Sequence, residues 1–330
     1  MSQPDEQSVY PRFPKFQLKG GPEITFNMPF FYDAVSFMWA YYKVPLNVLK
    51  PYFKGSDLTP VTFLSTKQDP WSGTGLVSVD FQLYQSNLGS GLAEVREVEF
   101  SLHCFPTSRT SVVPKIAFED YMRGQEQTKW TGSFRLWVPA SDETAVAAGR
   151  LAFGERKFQT QFAFQVPVPS ERHESTDPSP NIWQYTVYDD KFTGTPTLRE
   201  PNASSSPDVI YSFKADLTGL GQPILTNPSP LTLYSKLVPE LTWKQGDPVP
   251  PIPAVDKGRL NASRWNILGL DQTWLYPAAK TVSLGVGKSP HPMTYDIDNL
   301  VKKNGTLCAL RYYMSPPVAI ENRAFWVDPE

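Results

Sequence analysis

Hydrophobic and polar positions alternate with a period of two along much of this chain. In Leu76 to Gln85 (LVSVDFQLYQ), Val77, Val79, Phe81 and Leu83 share one face and Ser78, Asp80, Gln82 and Tyr84 the other, which predicts a strand with one apolar and one mixed side. In Glu94 to Phe105 (EVREVEFSLHCF), Val95, Glu97, Glu99, Ser101 and His103 fall on one face and Arg96, Val98, Phe100 and Leu102 on the other. Between them Ser86 to Gly91 (SNLGSG) carries two glycines and an asparagine, so the pair reads as a β-hairpin with a longer loop. Similar runs recur at GSFRLWVPA, KFQTQFAFQVPV, IWQYTVYD, VIYSFKADL, LTLYSKL, TVSLGV and TLCALRYYM. The 33 prolines lie between such runs, the punctuation of many strands and long loops, and the fold class is mainly β with a few short helices.

Helical patterns are few. SDETAVAAGR predicts a helix with Ser141 as N-cap, Asp142 and Glu143 complementing its N-terminus and Gly149 ending it. YKVPLNVLKPYF predicts a second short one around Val48, Leu49 and Phe53, with Pro45 near its first turn. Residues 168–181 and the proline-rich 244–258 read as loops or insertions, and no repeat of fixed period is visible.

Composition narrows the function classes. With 31 basic and 33 acidic residues the formal net charge is −2, which gives neither nucleic acid nor anionic lipid a basic surface to attract it. The segment MSQPDEQSVYPRF has no basic start followed by an apolar run, and no window approaches a membrane span, so a cytoplasmic location with no membrane partner is the expectation. Cys104 and Cys308 supply neither a disulfide framework nor a zinc cluster, and both are expected reduced and buried. His103, His173 and His291 lack metal-ligand spacing; dinucleotide, P-loop and serine-elbow motifs are missing, so no metal and no cofactor is expected. The sequons at Asn202, Asn261 and Asn304 read as chance matches.

Lysine and carboxylate chemistry remains. An amine nucleophile attacks a carbonyl to form a Schiff base and needs a lowered pKa, which burial or a nearby cation supplies. Lys157 stands among Phe153, Phe158, Phe162 and Phe164, with Arg150 and Arg156 close in sequence. On its own, a lysine opening a strand reads first as an exposed charge.

The stretch ETAVAAGRLAFGERKF (Glu143 to Phe158) resembles the Schiff-base lysine signature of the acetoacetate decarboxylase family, with Ala145, Ala147, Gly149, Arg150, Gly154 and Lys157 in matching places. Two further segments match in collinear order. YQSNLGSGLAEVREV is similar to the family's Gly-rich turn and its substrate-positioning glutamate, which implies Glu94 in that role, with Glu97 the alternative if the loop is shifted. FMWAYYKVPLNVLKPYF is similar to the segment carrying a basic residue that faces the substrate carboxylate, and places Lys43 where the family has arginine. Phe158 stands where a second lysine is common and is expected at the substrate; Arg150 is expected to be structural, close to the site.

The resemblance implies one domain spanning 1–330, an antiparallel closed β-barrel or cone with insertions near 168–208 and 244–260. It implies a lyase-type enzyme acting on a small keto acid or other carbonyl substrate through a Lys157 Schiff base, by decarboxylation, aldol or retro-aldol chemistry, or dehydration. A homo-oligomer is compatible with it. Two alternatives stand beside the enzyme: a non-catalytic barrel that binds a small apolar or carboxylate ligand, and a subunit of a larger assembly contacted through 244–258.

Overall fold

A computed structural model describes residues 15–17, 23–26, 28–65, 71–87, 92–166, 181–203, 206–237, 259–314, 319–321 and 325–326. Of the proposed insertions near 168–208 and 244–260, residues 168–180 and 244–258 lie outside the described residues. Ile182–Tyr188, within the first, is a fully paired strand.

The principal strands, in chain order, are β1 (Phe30–Pro45), β2 (Thr74–Asn87), β3 (Leu92–Glu97), β4 (Phe100–Pro106), β5 (Gly132–Ala140), β6 (Lys157–Gln159), β7 (Phe162–Gln165), β8 (Ile182–Tyr188), β9 (Val209–Asp216), β10 (Leu231–Leu237), β11 (Arg259–Ile267), β12 (Asp271–Leu275), β13 (Val282–Val286) and β14 (Thr306–Met314). The large sheet is mostly antiparallel, and its pairings return on themselves. From β1 they run through Ala319–Glu321, β11, β10, β5 and β4 to β2, which pairs β1 again along Phe31 to Pro45. This circuit of pairings returns to its starting strand, as the strands of a barrel do. The hairpin read from the sequence is present: β2 and β3 pair antiparallel, Gln82 opposite Glu97.

A smaller sheet, β7-β8-β9-β13, packs on the outside of the ring. The apolar side of β2 (Val77, Val79, Phe81, Leu83) faces this sheet and joins a core with Trp183, Tyr185 and Phe213, Phe81 stacking on Tyr185 at 4.7 Å. The mixed side of the same strand turns into the barrel, because a strand covered on both faces must put alternate residues into two different environments. The barrel interior is lined by Phe37, Trp39, Trp265 and Tyr313 in ring contact, and below them by polar groups.

The predicted helix is present at Glu143–Ala148, but its cap differs from expectation. Asp142, rather than Ser141, accepts the Ala145 amide at 2.8 Å, while the Ser141 hydroxyl accepts the Arg96 amide at 2.9 Å and ties the helix start to β3. Nor does Gly149 end the helix. It keeps helical angles and begins a wider π-type turn to Phe153, and Gly154, at φ +73°, makes the left-handed exit that a residue with a Cβ disfavours. The second predicted helix is short, Leu46–Leu49 followed by a 3₁₀ turn to Phe53. Cys104 and Cys308 are buried free thiols. Asn261 is also buried, bonded to the Phe153 carbonyl, so its sequon is closed to modification in the folded chain. Among the described residues no helix is long and apolar enough to cross a membrane.

Candidate active site

Lys157 enters the barrel from β6, which runs parallel to β5 with Lys157 opposite Val138. The turn before it is held by the Gly154 amide on the Arg150 carbonyl at 3.2 Å and the Glu155 amide on the Gly149 carbonyl at 3.0 Å. Arg150 Nε donates to the Lys157 carbonyl, which fixes the strand end from behind the helix. Gly149 is required by space rather than by backbone angle: a Cβ there would collide with the Lys157 stem and the Glu155 carboxylate.

Lys157 Nζ lies 2.7 Å from Glu97 Oε2 and 3.7 Å from Glu155 Oε2, with only 4–6% of these side chains exposed. Tyr84 donates to the same Glu97 oxygen at 2.7 Å. Arg135 bridges Glu155 and Glu99, and Asp80 behind them accepts from the Glu99 amide, the Trp39 indole and, at 2.9 Å, the Gln82 amide. A buried ionic chain thus runs Glu97, Lys157, Glu155, Arg135, Glu99, with Asp80 bonded to the Glu99 backbone amide. Charges this deep persist only when paired.

The electrostatics follow from this arrangement. Burial pulls the Lys157 ammonium pKa down, but Glu97 and Glu155 outweigh it and hold the group above its ordinary value. The sequence led us to expect an apolar pocket that disfavours the ammonium; the atoms around Nζ do the reverse. For Glu155, burial pushes up, while Arg135 and Lys157 prevail and hold the carboxyl low. Burial lifts Glu99 well above the carboxylate range despite Arg135, with Asp80 and Glu97 adding to the rise. Burial raises Asp80 to about 7 against its three donors and Arg135. Burial also lifts the Tyr84 hydroxyl well up, with Glu97 adding, so it acts as a donor.

Sequence reasoning named Lys157, Glu97 and Arg150, and the structure brings these together. Glu94 lies elsewhere: its side chain is 48% exposed and pairs with Arg96 at 2.6 Å. In β3 it has the parity opposite to Glu97, and the unshifted hairpin register turns it out of the barrel. Lys43 is also distant. It pairs with Leu76 on β2, six residues from the Gln82 that faces Glu97 (82 − 76), or about 20 Å at strand rise, and its ammonium sits 4.5 Å over the Trp71 ring. Phe158, next to Lys157, points to the other side of its strand and packs on Trp137 and His291, away from the ammonium. Glu155, Arg135, Glu99 and Tyr84 were not singled out as site residues. A signal for two of them was available, since Tyr84 and Glu99 occupy the polar faces of the alternating strands that turn inward.

These groups line a recess of about 380 Å³ whose other walls include Phe30, Tyr32, Phe153 and Trp265. A larger recess of about 610 Å³ adjoins it, with Glu99 common to both. The larger one contains His103, held by Tyr121 and Ser78 at 3.0 Å each and kept neutral because burial, with Arg311 adding, pulls it down to about 3. Its lining also carries Glu126, Lys129 and Arg311, the last 3.6 Å from Asp271, whereas Lys157 with Glu97 and Glu155 is in the smaller recess.

No family model and no curated protein sequence matches the chain. Solved structures do. The enduracididine biosynthesis enzyme MppR complexed with pyruvate aligns over 91% of this chain and 91% of its own, with 11% identity and a TM-score of 0.53. An acetoacetate decarboxylase-like enzyme from Sphingomonas wittichii RW1 aligns over 92% and 94%, with 12% identity and a TM-score of 0.52. Acetoacetate decarboxylase from Legionella pneumophila subsp. pneumophila str. Philadelphia 1 aligns over 91% and 87%, with 12% identity and a TM-score of 0.50. At such identities the likeness concerns backbone architecture, and it runs nearly the full length of each chain: this protein has the acetoacetate decarboxylase-like fold.

Proposed function

We propose that this protein is a lyase-type enzyme that binds a small carbonyl substrate, a keto acid or another aldehyde or ketone, as a Schiff base on Lys157. The observation that carries the reading is the contact of the buried Lys157 ammonium with Glu97, at 2.7 Å in a recess among the strands. The solved structures of the same fold come from enzymes, which supports catalysis over passive binding.

The resting ammonium is no nucleophile, so a base must take its proton, and Glu97 is already hydrogen-bonded to it. Transfer to Glu97 leaves a neutral amine, whose nitrogen adds to the substrate carbonyl carbon to give a carbinolamine. Protonated Glu97 then gives that proton to the departing hydroxyl, which leaves as water, and the iminium cation faces the Glu97 and Glu155 carboxylates as the ammonium did. Tyr84 keeps the Glu97 oxygen oriented throughout. The iminium accepts the electron pair of a bond breaking at the neighbouring carbon, which serves decarboxylation, aldol cleavage and dehydration alike.

The second reading, a non-catalytic barrel, draws on the same contact: an ammonium held by two carboxylates is also a structural ion pair. Reductive trapping with small carbonyl compounds separates the two. The enzyme reading expects a mass adduct on the Lys157 peptide that is lost in Lys157→Ala; a broad panel that labels exposed lysines and spares Lys157 leaves the ion pair as a structural element.

A further inference from the structure

We infer that the substrate carbonyl compound is uncharged, an aldehyde or ketone without a carboxylate, so that aldol-type or dehydration chemistry rather than decarboxylation takes place at Lys157; this rests on the Schiff-base reading above. Among the described residues, the ionisable groups lining the Lys157 recess are the acids Glu97, Glu99 and Glu155 and the bases Lys157 and Arg135, together with the phenols of Tyr32 and Tyr84. Both bases are committed: Lys157 to Glu97 and Glu155, Arg135 to Glu155 and Glu99. The lining sets two cations against three carboxyl groups and so carries no excess positive charge.

Condensation with an uncharged carbonyl compound preserves that balance. The ammonium and the carbonyl compound give an iminium and water (R–NH3⁺ + O=CR′₂ → R–NH⁺=CR′₂ + H2O), one cation before and one after, with the oxygen leaving on two of the nitrogen's protons. A keto acid undergoing the same step leaves its own carboxylate in a buried space, close to Glu97 and Glu155, with no uncommitted cation in the lining to receive it. Burying such an anion without a partner is disfavoured. The sequence-based candidate for receiving it, Lys43, stands over Trp71, about 20 Å away along β2. The remaining wall, Phe30, Tyr32, Phe153 and Trp265, suits an apolar or aromatic substituent instead.

Isosteric pairs that differ in one charge test this. The intact protein is incubated with pyruvate or pyruvamide, and with acetoacetate or acetoacetamide, reduced with cyanoborohydride, and mapped by peptide mass. Labelling of Lys157 is divided by that of the exposed lysines Lys54 and Lys115 in the same digest, which removes intrinsic reactivity. At least a tenfold preference of Lys157 for the amide in each pair is expected. Equal or stronger labelling by the keto acids overturns the inference while leaving the Schiff base intact. Labelling of the exposed lysines alone overturns the Schiff-base reading and this inference with it.

Discussion

Lys157 Nζ and Glu97 Oε2 meet at 2.7 Å inside the barrel, although sixty positions separate them (157 − 97) and they sit on strands that are not neighbours. One group is the nucleophile proposed above and the other its base, and Glu97 with Glu155 holds the buried Lys157 ammonium above its ordinary pKa. On that proposal the pair is both a stability element and a reactive one.

Removing the cation should expose this double role. Lys157→Ala leaves the Glu97 and Glu155 carboxylates buried without it, and unfolding free energy should fall by about 3–5 kcal/mol. Urea denaturation of the variant against the parent measures the loss; an unchanged midpoint would mean that the carboxylates take up protons at no cost to the fold.

Glu97 and Glu94 should separate cleanly. Glu97→Gln removes the proton acceptor from Lys157, and the rate of trapping at Lys157 should fall by about 10²–10⁴-fold. Glu94→Gln and Lys43→Met, both remote from the recess, should trap at the parental rate. A large effect of Glu94→Gln and none of Glu97→Gln would reverse the assignment.

Tyr84→Phe deletes one hydrogen bond to the Glu97 carboxylate and leaves the ring in place. A bond to a buried charge contributes about 1.5–3 kcal/mol, which should appear as a lower unfolding midpoint and a slower trapping rate. Parental values in both would show that Glu97 is oriented by Lys157 alone.

Glycines 149 and 154 should fail for different reasons. Gly149→Ala forces the Lys157 stem and Glu155 aside, at about 1–3 kcal/mol and with loss of trapping. Gly154→Ala strains a left-handed backbone, at about 1–2 kcal/mol. Thermal melts compare the stabilities, and the trapping rate shows which substitution reaches the amine.

Stability should depend on pH through two buried groups of opposite sign. Burial raises Asp271 to about 6 from 3.8, against the pull of Arg311, so the folded chain keeps this proton after the unfolded chain has lost it. Its contribution is present below about pH 3.8 and is lost as pH rises to about 6. His103, lowered to about 3 from 6.5, works the other way: its contribution is present above about 6.5 and is lost as pH falls. Asp271→Asn should remove a slope of at most about 1.4 kcal/mol per pH unit, and His103→Gln a slope of opposite sign. Denaturation curves across this range measure both; variants running parallel to the parent would mean that the groups titrate alike in both states.

What the sequence by itself determined is the strand and its two faces. The period-two alternation in Leu76–Gln85 and Glu94–Phe105 defines which side chains travel together, since a strand has only two sides, and the glycine-rich Ser86–Gly91 defines the hairpin. The Glu143–Phe158 resemblance pointed to the lysine. Which face turns inward was decided by tertiary structure, because both faces of β2 are covered: one meets the second sheet, the other the barrel interior, and alternation alone does not rank one covered face above the other. The charge state of Lys157 was decided there too. Glu155 is two residues away, but Glu97 arrives from β3 and Arg135 from β5, and a pKa depends on distances between charges that the chain sets only when the ring of strands closes.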